Sequence, residues 1–359
     1  MAGVADSGSD GPLTGRVLAR KYRLGRLLGV GASGPVYAAG LNHQPSHEPF
    51  AIKLIGLYGA QHLEEARAEA QMLASMTSPH IVRLEDFLVL PGGEVAVVME
   101  RIDGRSLEDE LTSGPMEMTR ACRIVSQVGI GLGHAHDRGV VHRDIKPSNI
   151  LLERTSTEPD FVRLVDFGIS AHVDELTRTM GFYGTPRFAS PEQFLGEPLT
   201  ASADVYALGV TLFNLLTGEP PFDETHLMGA ANAHLRTPAP ALRQRLRFPF
   251  PPELEELVGR MLDKDPSRRP QDVRVVAWAL DRIAQEWSSK RGLDEIPKPD
   301  WFQTSCALCE ESPSCRRGGR SEACVHETAA ASVGHAGEVA PAQPTNQTMH
   351  GRPVEPEDA

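Results

Sequence analysis

The stretch Gly29-Val30-Gly31-Ala32-Ser33-Gly34-Pro35-Val36 constrains this chain most, because strand-patterned residues lie on both sides of it. Small residues let a backbone approach phosphates closely, with its amides turned toward the negative charge. A dinucleotide-binding crossover places such glycines between a strand and a helix. Strands on both sides argue against that architecture. Taken alone, the glycines serve a tight turn equally well, and Pro35 removes one backbone donor at the start of the second strand.

The pattern around this loop predicts an α+β fold in two lobes. YRLGRLLGVGASGPVYAAG reads as strand, glycine turn, strand, and PFAIKLI as a third strand. Leu63, Ala66, Ala70 and Leu73 recur at helical spacing and predict an amphipathic helix over His62–Ser75. Two more strands follow, near Arg83–Leu90 and Glu94–Met99, joined by Pro91-Gly92-Gly93. Beyond Gly104 the chain is mainly helical. Met118–Arg138 carries Ile124, Val128 and Leu132 on one face, and further helices are expected over Asp204–Thr217, Glu253–Leu262 and Gln271–Glu286. A sheet lobe over about residues 22–103 thus precedes a helical lobe over about 104–287. Residues 1–20, rich in Gly, Ser and Asp, are expected to be disordered, as is most of the cysteine-containing tail over 288–359.

Composition narrows the function class. The 359 residues are 40% hydrophobic, enough for a real core, and carry a formal charge of −12 from 36 basic and 48 acidic side chains. A nucleic-acid binder needs a basic face to neutralise phosphates, so nucleic acid is not an expected partner. The apolar run around Val205–Leu216 is interrupted by Gly209, Thr211 and Asn214, and falls short of the ~18 residues of a membrane span. It reads as a buried core helix. The opening MAGVADSGSDGPLTG lacks the basic start and apolar core of a signal peptide, so a cytoplasmic protein without a membrane partner is expected. Cys122 falls inside a predicted helix as a small core residue. Cys306, Cys309, Cys315 and Cys324 crowd into the tail, with His326 two residues on. Their spacing leaves three readings open: a zinc site closed by four thiolates or by three and the histidine, a disordered or redox-sensitive tail, and an iron–sulfur site.

Three further signals follow the glycine loop in order. Lys53 lies in the middle of the apolar strand Phe50–Ile55, where an ammonium is costly unless paired. His142-Arg143-Asp144-Ile145-Lys146-Pro147-Ser148-Asn149 precedes the strand-like Ile150-Leu151-Leu152. Seventeen residues beyond Asn149 comes Asp166-Phe167-Gly168. Each occurs by chance in unrelated chains; the ordered set is highly specific. From about Tyr22 to Glu286 the chain resembles the eukaryotic-like (Hanks-type) serine/threonine protein kinases, especially their bacterial members.

That resemblance implies an ATP-dependent kinase acting on protein substrates, with Mg²⁺, or alternatively Mn²⁺, as cofactor. Asp144 would accept or orient the proton of the attacking hydroxyl, and Lys146 would offset charge on the transferred group. Asn149 and Asp166 would be the metal ligands. Leu28, Gly29, Val30, Gly31, Ala32, Ser33, Gly34 and Val36 would cover the nucleotide. Val36 and Ala51 above and Leu151 below would enclose adenine, with Met99 as gatekeeper and the Glu100 carbonyl and Ile102 amide reading its edge. Lys53 would hold the phosphates and pair with a helix glutamate. Periodicity leaves Glu65 and Glu69 open, and the resemblance selects Glu69, nine residues before Ser-Pro-His-Ile-Val. Gly184-Thr185-Pro186-Arg187-Phe188-Ala189-Ser190-Pro191-Glu192 resembles the protein-substrate platform, with Ser190 at the usual alanine position. Thr185 with Lys146 marks serine/threonine specificity. Glu192 would pair with Arg269, and Asp204 would support the catalytic loop from beneath. Arg143 beside the catalytic aspartate signals a switch by phosphate, with Thr177 and Thr179 as autophosphorylation sites reached through a transient homodimer. Two competing readings are a pseudokinase or nucleotide-binding signalling scaffold and a small-molecule kinase on the same fold. Lys53, Asp144, Asn149 and Asp166 speak against the first, and the 184–192 segment against the second.

Overall fold

The computed structural model describes residues 10–290 apart from 32–33, 45, 57–59, 157, 168–184 and 225. Ala32, Ser33, Gly168, Thr177, Thr179, Gly184 and the four tail cysteines therefore lie outside the described residues, as does the whole of 298–359.

The first lobe is a six-stranded antiparallel sheet in the order β1-β2-β3-β4-β6-β5. Its strands are β1 (Val17–Leu18), β2 (Tyr22–Gly31), β3 (Gly34–Leu41), β4 (Phe50–Ile55), β5 (Leu84–Val89) and β6 (Val95–Glu100). Successive side chains of a strand point to opposite faces, and here both faces are used. Tyr22, Leu24, Tyr37, Ala39, Ile52, Leu54, Ala96 and Val98 form one buried cluster. The alternate positions carry Val36, Ala38, Ala51, Lys53, Val97 and Met99, aligned because Val36 and Val97 register with Lys53 and Met99 with Ala51. Lys53 is thus fixed on a different face from the apolar cluster by strand period alone. Gly34 opens β3 at φ +130°, and a Cβ there would meet the Leu54 carbonyl oxygen at 1.9 Å. The third glycine of the loop is therefore demanded by the approach of β3 to β4.

The sequence pattern begins the folded lobe at Tyr22 and predicts disorder before it. The structure corrects this over residues 10–20: β1 pairs with β2, Leu18 is buried in the sheet cluster, Leu13 packs against it, and Arg16 pairs with Glu94 at 2.9 Å. Two apolar residues among Gly and Arg are too short a run to show a strand period. The helix α1 (Ala60–Ala74) buries Ala66, Ala70 and Leu73, in agreement with the expected face.

The second lobe opens with β7 (Gly104–Ser106), α2 (Leu107–Leu111) and the central α3 (Met118–His136). A small sheet, β7-β8-β9, follows, with β8 at Ile150–Glu153 and β9 at Phe161–Leu164. Then come α4 (Pro191–Leu195), α5 (Ala201–Thr217), α6 (Leu227–Arg236), α7 (Pro252–Met261) and α8 (Val273–Lys290). Nearly all of α5 is buried, as its apolar run requires, though it begins three residues before Asp204. The helix α8 packs along α3 at Gly129, where a Cβ would sit 2.9 Å from that of Ala277. Cys122, on α3, is fully buried, and burial pushes its thiol up to about 12. No helix among the described residues is long and apolar enough to cross a membrane.

Candidate active site

Asp166 meets the sheet face that carries Lys53. The Lys53 side chain is 5% exposed, and its Nζ lies 2.9 Å from Asp166 Oδ1. Glu69 is half-buried on α1, whereas Glu65 is exposed. Lys53, Leu73, Val97, Met99, Asp166 and Phe167 line one cavity between the two lobes. Leu28, Val36, Ala51, Met99 and Leu151 are all buried, and Ile102 half-buried. Val30 at the loop tip is exposed.

Asp144 is the centre of a short-range network. Lys146 Nζ donates to Asp144 Oδ2 and to Thr185 Oγ1, each at 2.6 Å. Asn149 Nδ2 donates to the Asp144 carbonyl at 2.8 Å and to Oδ2 at 3.1 Å. The Thr185 N–H and hydroxyl donate to Oδ1 at 3.0 and 3.2 Å. Burial alone would raise the Asp144 carboxyl, but the Lys146 ammonium and the Thr185 N–H outweigh it and hold the group below the usual carboxylate range. Asp166 behaves likewise: burial pushes up, the Lys53 ammonium pulls down harder, and the net direction is down. Both carboxylates are thus ionised at neutral pH.

The backbone is strained where this network is built. Arg143 has φ 69° and Asp166 φ 60°, in the left-handed region that side chains rarely occupy. Each such residue costs ~1–2 kcal/mol and persists only when its surroundings over-determine it. Asp204 does so for the catalytic loop. It is 1% exposed and accepts from the N–H groups of His142 and Arg143 at 2.8 and 2.9 Å, and from His136 Nε2 at 2.8 Å. His142 ties the loop to the Asp166 segment. Its Nδ1 accepts the Asp144 N–H at 3.4 Å, so Nε2 carries the proton that bonds the Val165 carbonyl at 3.1 Å. Its ring lies 4.4 Å from that of Phe167.

The platform below is anchored by Arg269, whose guanidinium donates to both oxygens of Glu192 at 2.7 and 2.9 Å with both side chains buried. Gln193 Nε2 donates to the Arg143 carbonyl at 2.8 Å, joining α4 to the catalytic loop. Sequence reasoning missed Gln193 and His136. Two histidines in the last turn of α3, His134 and His136, were the visible hint of the latter.

Asn149 uses its amide nitrogen on Asp144, which leaves amide oxygen chemistry for a ligand, and Asp166 adds a carboxylate. Hard oxygen donors of this kind suit Mg²⁺.

Comparison with known proteins agrees with this geometry. The family model described as the protein kinase domain matches residues 22–281. The Myxococcus xanthus serine/threonine-protein kinase pkn3 is 34% identical over 295 residues, covering 79% of this chain and 53% of pkn3. The Mycobacterium tuberculosis serine/threonine-protein kinase PknD is 39% identical over 254 residues, covering 69% of this chain and 37% of PknD. The chain thus spans about half or less of the length of these relatives. Among solved structures, the M. tuberculosis PknI kinase domain superposes with a TM-score of 0.59 at 25% identity, covering 75% of this chain and 98% of that one.

Proposed function

We propose, on the premise that this chain belongs to the protein kinase family, that it transfers the γ-phosphate of ATP to serine and threonine hydroxyls of protein substrates. One observation carries the reading: a single ionised carboxylate, Asp144, is held by Lys146, Asn149 and Thr185 within 3.2 Å. Phosphoryl transfer proceeds through a loose transition state and asks the protein mainly for positioning and charge stabilisation. Asp144 would orient the acceptor hydroxyl and take its proton. Lys146 sits where it would offset charge on the transferred group. Lys53 would hold the phosphates, with Glu69 on α1 as its partner. Asn149 and Asp166 would hold Mg²⁺, or Mn²⁺ with similar donor preference, which supplies charge neutralisation to the phosphates when bound.

Adenine would lie between Val36 and Ala51 on one side and Leu151 on the other, read by the Glu100 carbonyl and the Ile102 amide. The preference for serine and threonine is supported by the Lys146–Thr185 bond of 2.6 Å and by the printed names of the relatives. Autophosphorylation at Thr177 and Thr179, in trans through a transient homodimer, rests on the resemblance and on Arg143, whose charge such a phosphate would meet.

The test is incubation with Mg-ATP followed by phosphosite mapping, wild type against Asp144→Asn. Phosphoserine and phosphothreonine on the wild type and on an added protein substrate are expected, with Thr177 and Thr179 among the sites and almost none in the variant. A wild type that labels nothing, or an Asp144→Asn protein that labels equally, overturns the reading.

A further inference from the structure

Glu100 ends β6 where the chain leaves the six-stranded sheet, and its side chain is held from two elements at once. Its Oε1 accepts from the Arg83 N–H at 2.7 Å and from Arg163 Nη2. Its own N–H donates to the Arg83 carbonyl at 3.0 Å.

Arg163 lies on β9, three residues before Asp166, with its side chain only 13% exposed. The other arm of its fork, Nη1, donates to the Pro79 carbonyl at 2.8 Å. The backbone beside Pro79 is already stitched to β9: Leu164 N–H donates to the His80 carbonyl at 2.8 Å, and Val82 N–H to the Leu164 carbonyl at 2.9 Å. Pro79 is therefore fixed against β9, and Arg163 carries that fixity across to Glu100. One guanidinium spans the end of β6, the loop before β5 and the strand leading into Asp166. A planar fork presents two separated amino groups to acceptors set apart in this way, whereas a lysine presents its three donors from a single point.

We propose that Arg163 is a positioning residue for nucleotide. It holds Glu100 so that the carbonyl of that residue and the Ile102 amide stand ready for adenine, an inference that rests on the adenine site proposed above. Without the bracket, the segment keeps its bonds to Arg83 but loses its tie to β9, so part of its ordering falls on nucleotide binding and the cost appears as weaker affinity. The bonds around Asp144 include neither Arg163 nor Glu100, so turnover at saturation is spared.

The experiment is titration of ADP with Mg²⁺ by calorimetry, together with KM for ATP and kcat on a protein substrate, for wild type, Arg163→Met and Arg163→Lys. Arg163→Met should weaken ADP and raise KM by about five- to tenfold, the scale of one ordinary net hydrogen bond, with kcat within about twofold. Arg163→Lys should fall between the two. Should Arg163→Met not fold, Arg163→Lys against wild type decides by the same split. A wild type that binds no nucleotide removes the adenine site and this inference with it. A wild type that binds, beside variants that bind equally well or lose kcat instead of affinity, overturns the role of Arg163 and leaves the kinase reading standing.

Discussion

Replacing Arg269 by methionine removes one buried guanidinium and keeps most of its volume. Arg269 is 2% exposed. Beyond its two bonds to Glu192, it donates to the carbonyls of Ser202, Lys264 and Asp263 at 2.9, 3.2 and 2.8 Å, and it lies 4.8 Å from the Tyr206 ring centre. Methionine leaves those carbonyls without this donor and strands Glu192, itself 4% exposed. Breaking a buried pair from one side costs ~3–5 kcal/mol. The lost carbonyl bonds add ~1 kcal/mol after relaxation. A loss of ~4 kcal/mol is therefore expected, a large part of the ~5–15 kcal/mol that holds a domain together. Urea unfolding followed by tryptophan fluorescence reads it at pH 7. A loss below ~1 kcal/mol refutes the reasoning.

Three other outcomes follow from the same geometry. Asp204→Asn keeps the shape but weakens the acceptor that holds His142 and Arg143 N–H groups; kcat should fall at least ~10-fold while ADP affinity holds, since charged hydrogen bonds are worth ~1.5–3 kcal/mol each, and unchanged kcat would contradict it. His234 is fully buried, with its Nδ1 2.9 Å from the Tyr206 hydroxyl, and burial pushes it down to about 3. Its depressed folded value means that stability present above the unfolded value of ~6.5 is lost as pH falls toward 3. At pH 5, His234→Gln should therefore flatten the pH slope of unfolding free energy by ~1.4 kcal/mol per pH unit, and equal slopes would contradict this. Cys122, with its thiol pushed up to about 12, should resist iodoacetamide in the native protein and react on unfolding, as peptide mapping would read; native alkylation at Cys122 counts against its burial.

The core of the candidate site was legible because its residue types are improbable where they stand. A lysine inside Phe50–Ile55 and a polar run ahead of Ile150 call for partners, and the structure puts Lys53 on Asp166 and Lys146 on Asp144. The long periodic helices were legible for the same reason, with α3 two residues shorter than expected at its end. Short elements were not. The five-residue helices α2 and α4 cannot display a 3.6-residue period, and α6, with Gly, Asn and His among its ten residues, shows only a weak one. Contacts between distant positions were illegible unless the family resemblance supplied them, as it did for Glu192 and Arg269. The Arg163–Glu100 bond joins residues 63 apart, and strand alternation alone would have sent Arg163 to solvent. The Lys53–Asp166 contact shows the other limit. Sequence names the groups gathered around a phosphate but not the distances at which they stand.

The central claim is that Lys53, Asn149 and Asp166 together hold a metal-bound nucleotide beside Asp144. Calorimetric titration of ADP with and without Mg²⁺, on wild type and Asp166→Asn, tests it most directly. The account predicts tighter binding with Mg²⁺ in the wild type, and loss of that gain in Asp166→Asn with metal-free binding retained. A wild type indifferent to Mg²⁺, or a variant that keeps the full gain, would contradict it.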